Sequence, residues 1–383
     1  MDERKARELV VQAGLELVKD GLIARTWGNV SCRLDSESFV ITPSGRAYER
    51  LTTEDIVVCK IADGSYGGNI KPSSERGVHA LIYRERPDAN FVIHTHQTQA
   101  SAVSVMNKPG IPEGSSSSKE FVPTAAYGLP GTNKLVKGIS EALMKTRGKA
   151  VIMSHHGTVC FGADDRDAFS AAQTLENDCR RYIRKVYSEA GGKVSEDEND
   201  IYLNYLNHSK LPQKPLKLGS SRRTPDGFIL NADGREITYA AQEQGLPLEV
   251  AIHAEIYLKR KDVNYITYAD GAPLVAAASA GTPLVAILDD FAQIEGRRAL
   301  CAKSASPADV VSALGRRAGV LVPGSGALCC GNTEPEAHAV LLVMEKNAYA
   351  QISANLTGKP KLLSVFDCCL MRTVYKLSYS KKE

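Results

Sequence analysis

Two segments of the chain repeat one another in register and without a gap. Residues 249–270 (EVAIHAEIYLKRKDVNYITYAD) match residues 75–96 (ERGVHALIYRERPDANFVIHTH). Farther along, residues 326–331 (GALCCG) match residues 157–162 (GTVCFG). Matches that recur in the same order indicate that the second half of the chain is a second copy of the fold of the first. The length of 383 residues also fits two domains rather than one.

The repeat sets the expected limits of the two copies. We expect the first domain at residues 1–200 and the second at residues 201–383. The second domain includes a connector at 201–247, within which residues 227–234 (GFILNADG) have the pattern of a hairpin around a tight turn.

The stretch at residues 71–96 predicts a polar turn, a helix, a break and a strand. Ser73 and Ser74 are suited to cap the helix, because their hydroxyls accept from the free N–H groups of a first turn. Glu75 is expected within that first turn, where the helix dipole favours a carboxylate. Pro87 ends the helix, and a strand begins at Phe91. Residues 69–71 are expected to form a strand that leads into this stretch.

Two histidines follow one another along the predicted strand. His94 and His96 stand at positions i and i+2, so both side chains emerge on the same face. Two imidazoles in that arrangement supply half of a metal site. His156 is the candidate third ligand, because it follows a predicted buried strand at residues 150–154. A metal site beside Glu75 is favoured over the alternative that these are core or surface histidines.

Two short turns of small residues precede this stretch. Gly28 and Asn29 lie before a predicted strand at residues 30–33, and TPSG at residues 42–45 follows the next one. Glycine and small side chains let backbone N–H groups approach a phosphate closely. The alternative is two ordinary hairpin turns, and the nearby predicted metal site favours phosphate binding.

Composition excludes several classes of function. The net charge is +3 with acids and bases interspersed, which indicates no nucleic-acid surface. No apolar run reaches membrane-spanning length, and the charged start MDERKAREL predicts an amphipathic helix rather than a signal peptide. Nine cysteines without a CxxC spacing indicate reduced thiols. We therefore expect a cytoplasmic protein that binds neither nucleic acid nor a membrane.

Five short motifs together resemble those of the class II aldolase/adducin superfamily. They are GNVSCR at 28–33, ITPSG at 41–45, PSSE at 72–75, HTH at 94–96 and HHG at 155–157. Within the superfamily the sequence is most similar to the zinc-dependent fuculose phosphate aldolases, over roughly residues 1–190. The resemblance implies an α/β fold in three layers, α/β/α, with a mostly antiparallel central sheet, present here as two tandem copies.

The resemblance also implies roles for individual residues. The three histidines of the family hold a divalent ion, usually Zn²⁺, and this role falls on His94, His96 and His156. Another divalent ion, such as Mn²⁺, suits the same ligands. The proton-transferring base of the family falls on Glu75. The phosphate-binding residues of the family fall on Asn29, Ser44, Gly45, Ser73 and Ser74.

The reaction implied is cleavage or formation of a C–C bond in a phosphorylated ketose or ketone, through an enediolate. Two other reactions of the superfamily remain alternatives: 4-epimerisation of a sugar phosphate and decarboxylation of a keto-acid phosphate. The epimerases carry Asp at the position of Glu75 and an acidic loop motif that is missing between His96 and Val122, so the aldolase is favoured. The tyrosine of the family's aldolases is also missing from the loop at 107–119. Tyr127 aligns to another position and is expected to be structural.

The second copy has lost the predicted site. The residues opposite the three histidines and the two serines are Tyr268, Asp270, Ser325, Pro247 and Leu248. Without three ligands this copy is not expected to hold a catalytic metal. His79 and His253 occur in both copies, so they are expected to pack or to hydrogen-bond rather than to bind metal. Asp289 and Asp290 are expected to lie in a loop and to stay solvated.

Tandem copies have a consequence for assembly. Proteins that resemble this one are usually rings of four identical subunits, in which a neighbour completes each active site. Two copies in one chain predict the same ring from two chains, a homodimer of pseudo-fourfold form. An assembly module without catalysis, like the adducin head, is the alternative from a different class of function, and the retained His94, His96, His156 and Glu75 favour the enzyme.

Overall fold

The computed structural model of the protein describes residues 1–23, 27–112, 121–195, 201–202, 215–240, 243–358 and 360–378. The chain divides into two compact units, residues 1–185 with a C-terminal segment that starts at residue 376, and residues 186–375. The predicted domain limits, 1–200 and 201–383, stay a prediction. The expectation of a loop at 107–119 was wrong in part, because Gly110–Pro112 form a short strand that pairs with the strand starting at Phe121. The rest of that segment, from residue 113 to 119, lies outside the described residues, as does much of the connector.

The first unit is an eight-stranded sheet with helices around it. Its strands are β1 (Asn29–Arg33), β2 (Ser38–Ile41), β3 (Val57–Lys60), β4 (Phe91–Thr95), β5 (Gly110–Pro112), β6 (Phe121–Ala125), β7 (Ala150–Met153) and β8 (Thr158–Gly162). Its helices are α1 (Glu3–Lys19), α2 (Arg76–Glu85), α3 (Thr98–Ser104), α4 (Asn133–Leu143) and α5 (Asp165–Glu189), with short 3₁₀ turns at Tyr48–Arg50 and Thr53–Asp55. The strand order is β3-β2-β1-β4-β8-β7-β6-β5, and every neighbouring pair is antiparallel except β6 with β7.

The second unit repeats this architecture. Its strands are β9 (Ser220–Thr224), β10 (Gly227–Ala232), β11 (Arg235–Ala240), β12 (Tyr265–Ala269), β13 (Leu284–Val285), β14 (Arg298–Cys301), β15 (Gly319–Val322) and β16 (Gly326–Gly331). Its helices are α6 (Leu248–Lys259), α7 (Ala272–Ser279), α8 (Asp289–Ile294), α9 (Pro307–Leu314), α10 (Glu334–Asn355) and α11 (Val365–Ser378). The strand order is β11-β10-β9-β12-β16-β15-β14-β13, the same path as in the first sheet, and β14 with β15 is again the parallel pair.

Local sequence explains where the first helix begins and ends. The carboxylate of Asp2 accepts from the backbone N–H of Lys5 at 3.1 Å, which caps the start of α1. Gly21, with φ of +67°, follows its last turn, a conformation that glycine adopts without steric cost. Apolar residues at helical spacing, including Val10 and Leu17, are buried along one side of the helix.

Each unit has a hydrophobic core of its own between sheet and helices. In the first, Phe39, Ile82 and Val92 belong to one cluster of buried side chains that spans β2, α2 and β4. In the second, Phe228 and Ile256 belong to an equivalent cluster. Because each sheet buries apolar side chains against its own helices, each copy has the layered core expected of an independent domain.

The pairing register confirms the tandem copies. His94 of β4 pairs with Val159 of β8, and Tyr268 of β12 pairs with Leu328 of β16, which are the positions that the sequence repeat aligns. The expectation of a mostly antiparallel sheet with flanking helices, present twice, is likewise confirmed. Among the described residues no helix is both long and apolar enough to cross a bilayer.

Three further local expectations were wrong. Residues 69–71 form no strand; an isolated bridge joins Pro43 and Pro72, and proline has no N–H with which to continue a ladder. Glu75, rather than Ser73 or Ser74, is the N-cap residue of α2, and it does not lie within the first turn. Asp289 and Asp290 begin helix α8 and are buried rather than solvated, and the carboxylate of Asp290 forms an ion pair with Lys346.

Candidate functional site

Three histidines of the first unit meet at one end of its sheet. His94 lies in β4, His96 directly after it, and His156 in the turn between β7 and β8. The Nε2 atoms of His94 and His96 are 2.9 Å apart, and the rings of His94 and His156 stack with centroids 4.9 Å apart. One nitrogen from each ring lies within 4.8 Å of the others, and all three side chains are buried. The structure thus brings together the three histidines that the sequence predicts as metal ligands.

A backbone carbonyl sets the protonation of His94. Its Nδ1 lies 2.8 Å from the carbonyl oxygen of Thr158, which can only accept, so Nδ1 carries the proton and donates it. In the neutral ring, Nε2 of His94 therefore carries the lone pair, and this nitrogen lies 2.9 Å from Nε2 of His96. Such a hydrogen bond behind a ligand fixes both ring orientation and tautomer, as in many metal sites of proteins.

The turn that carries His156 has an unusual backbone. His155 has φ of +64°, in the left-handed region that costs a side-chain-bearing residue roughly 1–2 kcal/mol. Its counterpart in the second copy is Gly324, with φ of +69°. A Cβ on Gly157 would lie 2.3 Å from the carbonyl oxygen of Thr95, so the turn packs directly against β4. That close approach holds His156 beside His94.

Glu75 reaches the same place from the start of α2. One of its carboxylate oxygens lies 3.1 Å from Nε2 of His94 and the other 2.9 Å from Nε2 of His156. Burial raises the pKa of Glu75, but the two imidazoles and the hydrogen bonds from His156 and Asn29 outweigh burial and hold the pKa well below its usual range. Glu75 is thus a buried, ionised carboxylate next to the histidines.

A chain of buried hydrogen bonds connects Glu75 to the interior of the unit. The side-chain amide of Asn29 donates to Glu75 at 3.1 Å, and its oxygen accepts from Nε2 of His79 at 2.5 Å. Nδ1 of His79 then accepts from Ser31 at 2.6 Å, and Ser31 lies 2.7 Å from the hydroxyl of Tyr83. Burial lowers the pKa of His79 to about 3, so its ring is neutral and can both donate and accept.

The second copy keeps most of this series of hydrogen bonds but lacks the asparagine that joins it to a carboxylate. Ser221 contacts Nδ1 of His253 at 2.7 Å and the hydroxyl of Tyr257 at 2.8 Å, as Ser31 does in the first copy. Gly219 stands in the place of Asn29, and Nε2 of His253 donates to the carbonyl of Leu218 at 3.0 Å. The expectation that His79 and His253 form hydrogen bonds inside the fold is confirmed. In the part of the chain that the structure describes, the hydrogen-bond link from this histidine to a carboxylate occurs in the first copy and not in the second.

The five predicted phosphate-binding residues lie on three neighbouring segments. The segments at 42–45 and 71–74 run side by side, since the N–H of Ser44 donates to the carbonyl of Lys71 at 2.9 Å and that of Ser73 donates to Thr42 at 3.0 Å. Ser73 is buried and its hydroxyl accepts from the N–H of Glu75 at 3.2 Å. Gly45 has φ of +70°. The remaining two are exposed Ser74 and buried Asn29.

In the second copy, other side chains fill the equivalent place. The hydroxyl of Tyr268, opposite His94, donates to the carbonyls of Leu216 and Ser325 at 3.0 and 2.7 Å. The hydroxyl of Ser325, opposite His156, accepts from the N–H of Leu216 at 2.9 Å. These contacts join the residues to the backbone, and the second copy therefore has no three-histidine group among its described residues.

The donor set of the first copy fits a divalent ion. Three imidazole nitrogens converge at buried positions, and at His94 the hydrogen bond to Thr158 directs a lone pair into the group. A carboxylate stands within 3.1 Å of two of the rings. Three histidines with one open position are the ligand set of many catalytic metal centres.

Sequence reasoning did not identify the partners behind these residues. Thr158, which fixes His94, and Asn29 as a link between Glu75 and His79 emerge only from the structure. One signal was available, because Ser31 and Tyr83 have counterparts in the second copy at the spacing of the repeat, Ser221 and Tyr257.

Comparison with known proteins identifies the fold. The sequence model described as "Class II Aldolase and Adducin N-terminal domain" matches the chain twice, over residues 8–183 and 207–352. The two matches together cover most of the chain and correspond to the two copies.

Individual relatives match about half of the chain. An L-fuculose phosphate aldolase of Escherichia coli is 34% identical over 202 residues, which are 52% of this chain and 92% of that protein. A 5-deoxy-D-ribulose 1-phosphate aldolase of Bacillus thuringiensis is 30% identical over 198 residues, 51% of this chain and 92% of its own length. A 3-oxo-tetronate 4-phosphate decarboxylase of Haemophilus influenzae is 28% identical over 193 residues, 48% of this chain and 89% of its own.

Proposed function

Because the chain belongs to the class II aldolase and adducin family, we propose that its first unit is a metal-dependent aldolase that cleaves or forms a C–C bond in a phosphorylated ketose. The observation that carries this proposal is the buried group of His94, His96, His156 and Glu75. Two of the aldolase relatives act, by name, on a phosphorylated ketose.

In the proposed site, His94, His96 and His156 hold a divalent ion, for which Zn²⁺ is the first candidate because imidazole is among its preferred ligands. Such an ion supplies Lewis-acid stabilisation of the negative charge that develops on oxygen when the C–C bond breaks, worth several kcal/mol. The histidines are 2%, 7% and 4% exposed for His94, His96 and His156 respectively, which limits competition by bulk water.

Glu75 is the proposed base. Its carboxylate is ionised, and its position beside His94 and His156 allows it to take or return a proton at the reacting carbon. Asn29 donates to one of its oxygens, which restricts the carboxylate to one orientation. Orientation contributes to the catalytic effect of a base, because the base must lie within hydrogen-bond distance of the proton that it transfers.

The paired segments at 42–45 and 71–74 are the proposed phosphate site. Serine hydroxyls and the left-handed backbone of Gly45, with φ of +70°, are suited to an anion, because glycine lets a backbone approach a phosphate closely. Asn29, Ser44, Gly45, Ser73 and Ser74 would then fix the substrate through its phosphate. The carbonyl end would face the histidines.

A metal-content measurement combined with a turnover assay tests this function. We expect one divalent ion per chain, and we expect His94→Ala to lose both the ion and activity on ketose 1-phosphates while the fold is retained. His338→Ala is the matched control, because His338 is exposed on the second unit. A His94→Ala enzyme that keeps its metal and near-normal turnover would remove the proposal.

Decarboxylation of a keto-acid phosphate is the second candidate, and the relationship to the 3-oxo-tetronate 4-phosphate decarboxylase supports it. An assay of ketose phosphates against keto-acid phosphates separates the two. Release of CO₂ without release of an aldehyde would favour the decarboxylase function over the aldolase function. A chain without bound metal or either activity would favour an adducin-like assembly module.

A further inference from the structure

The second unit contains a cavity of about 580 Å³ that is rich in arginine. Three segments form it: residues 295–298 between α8 and β14, residues 316 and 317 before β15, and helix α11. Five of its nine lining residues are arginines, namely Arg297, Arg298, Arg316, Arg317 and Arg372. We refer to it as the arginine cavity.

Among the described residues, no ion pair neutralises the positive charges of the arginine cavity. Arg317 donates to the carbonyls of Arg298 and Ala313 at 3.1 and 3.2 Å, and Arg372 donates to the carbonyl of Ile294. Carbonyl partners orient a guanidinium without cancelling its charge. In the described part of the chain, the side chains of Arg297, Arg298 and Arg316 form no hydrogen bond or ion pair.

One acid, Glu295, lies at the wall of the arginine cavity and is only 3% exposed. Its Oε2 accepts from the backbone N–H groups of Ala318 and Gly319, both at 2.9 Å, whereas its Oε1 has no hydrogen-bond partner among the described residues. Burial raises the pKa of Glu295 to about 8. The single carboxyl of Glu295 faces five arginines, so the arginine cavity carries an excess of positive charge.

The arginines also repel one another. Burial lowers the pKa of Arg372, and the nearby cations Arg317 and Arg260 lower it further, while Glu295 acts in the opposite direction. A bound anion would relieve this repulsion. Guanidinium groups bind phosphate and carboxylate oxygens through paired hydrogen bonds, which makes arginine the usual residue for such ligands.

We propose that the arginine cavity binds a small molecule carrying at least two phosphate charges. Its volume is within the range of small-molecule sites, and its walls come from three segments rather than from one flat surface. A nucleic acid would need an elongated basic face, and the net charge of +3 for the whole chain gives no indication of one. The site belongs to the copy that lacks the three histidines, so it does not depend on the proposed aldolase chemistry.

Calorimetric titration of the full chain with inorganic pyrophosphate tests the proposal. We expect the double variant Arg297→Gln/Arg316→Gln to bind at least tenfold more weakly, with its fold intact because both residues are exposed. The matched control is Arg222→Gln/Arg235→Gln, which removes two exposed arginines from the β9–β11 hairpins, outside the cavity. It should bind like the wild type.

The phosphate segments of the first unit are a second source of pyrophosphate binding. The variant Ser44→Ala/Ser73→Ala removes that source, and binding at the arginine cavity should persist in it. The proposal would be overturned if adding Arg297→Gln/Arg316→Gln to the Ser44→Ala/Ser73→Ala variant left the affinity for pyrophosphate unchanged. It would also be overturned if the control Arg222→Gln/Arg235→Gln lost as much affinity as the cavity variant. Binding of duplex DNA or of phosphatidylserine vesicles, lost in the cavity variant and without any binding of pyrophosphate, would also overturn it.

Discussion

At the scale of single residues, the site depends on groups that orient its histidines and its carboxylate through hydrogen bonds. The ring of His94 is fixed by the carbonyl of Thr158, and the carboxylate of Glu75 by the amide of Asn29. Asn29 is fixed in turn by His79, whose burial keeps it neutral. Residue type and spacing identified the candidate site residues, but the groups that orient them come from distant segments that sequence spacing does not place in contact.

Replacing Glu75 by Gln should remove the base while keeping the shape of the site. We expect turnover to fall by ~10²–10⁴, the usual contribution of general acid–base catalysis, with the metal content unchanged. The readout is exchange of the substrate's carbon-bound proton with deuterium from solvent. Glu249→Gln, at the equivalent position of the second copy, is the control and should leave turnover alone. Unimpaired exchange in Glu75→Gln would exclude Glu75 as the base.

His79 and His253 allow structural and catalytic effects to be separated. His79→Leu and His253→Leu each remove the ring that donates to a buried oxygen, Asn29 Oδ1 or the carbonyl of Leu218, and one of the two partners of a buried serine hydroxyl. A buried acceptor left unsatisfied costs roughly 1–3 kcal/mol. Both variants should lower the unfolding free energy measured in urea by similar amounts. Only His79→Leu should also lower the turnover number, because only His79 contacts Asn29 and through it Glu75. Equal turnover numbers in the two variants would contradict this positioning role.

At the scale of elements, the turn between β7 and β8 is the part of the fold on which the site depends most. It carries His156, it places His155 at φ of +64°, and it packs Gly157 against β4. The equivalent turn of the second copy has glycine at the left-handed position, and its Gly326 approaches the carbonyl of Ala269 as closely. The turn is therefore a property of the fold, and the first copy accommodates a histidine in it.

A Cβ at Gly157 should separate the turn from β4. In Gly157→Ala the new methyl would lie 2.3 Å from the carbonyl of Thr95, and relieving that overlap costs ~1–3 kcal/mol. We expect lower metal affinity, because His156 moves away from His94, and a lower melting temperature. Gly326→Ala meets the same overlap in the second copy, at 2.2 Å, and should reduce stability without reducing metal affinity. Full metal affinity in Gly157→Ala would show that the close approach does not position His156.

The elements also show how far sequence reasoning extends. Alternating side chains predict the strand of His94, and helical spacing predicts the helix after Glu75. The sequence repeat predicts the second copy. Each of these signals lies within a short segment or in a direct match between two segments. The burial of Asp290 does not, because its partner Lys346 lies on a helix far along the chain. Likewise Glu75 occupies the N-cap position of α2 without a capping hydrogen bond from its side chain, because its carboxylate contacts His94 and His156 from other elements.

At the scale of the whole molecule, one chain carries a copy with three histidines and a copy without them. The two sheets have the same strand order, yet Tyr268 and Ser325 of the second are hydrogen-bonded to backbone carbonyl and N–H groups where the first has His94 and His156. The second copy is thus a folded domain in its own right. The proposed anion binding at its arginine cavity is a role separate from the proposed catalysis of the first copy.

We expect the protein to be a homodimer, in which four copies of the fold from two chains form a pseudo-fourfold ring, since closed symmetric assemblies are usual. Light scattering should give twice the 41.4 kDa of one chain, and metal analysis should give two ions per dimer. A stable and fully active monomer would contradict this assembly.

Duplication within one polypeptide also gives geneticists an internal reference. A saturation library could be scored at paired positions, such as Ile82 and Ile256, both fully buried in corresponding helices. The score at a position of the second copy reports the effect of the substitution on folding alone. The difference between the two paired scores reports the effect on catalysis. Fitness scores of most enzymes mix these two quantities. Here a growth selection could rank the catalytic positions before any protein is purified.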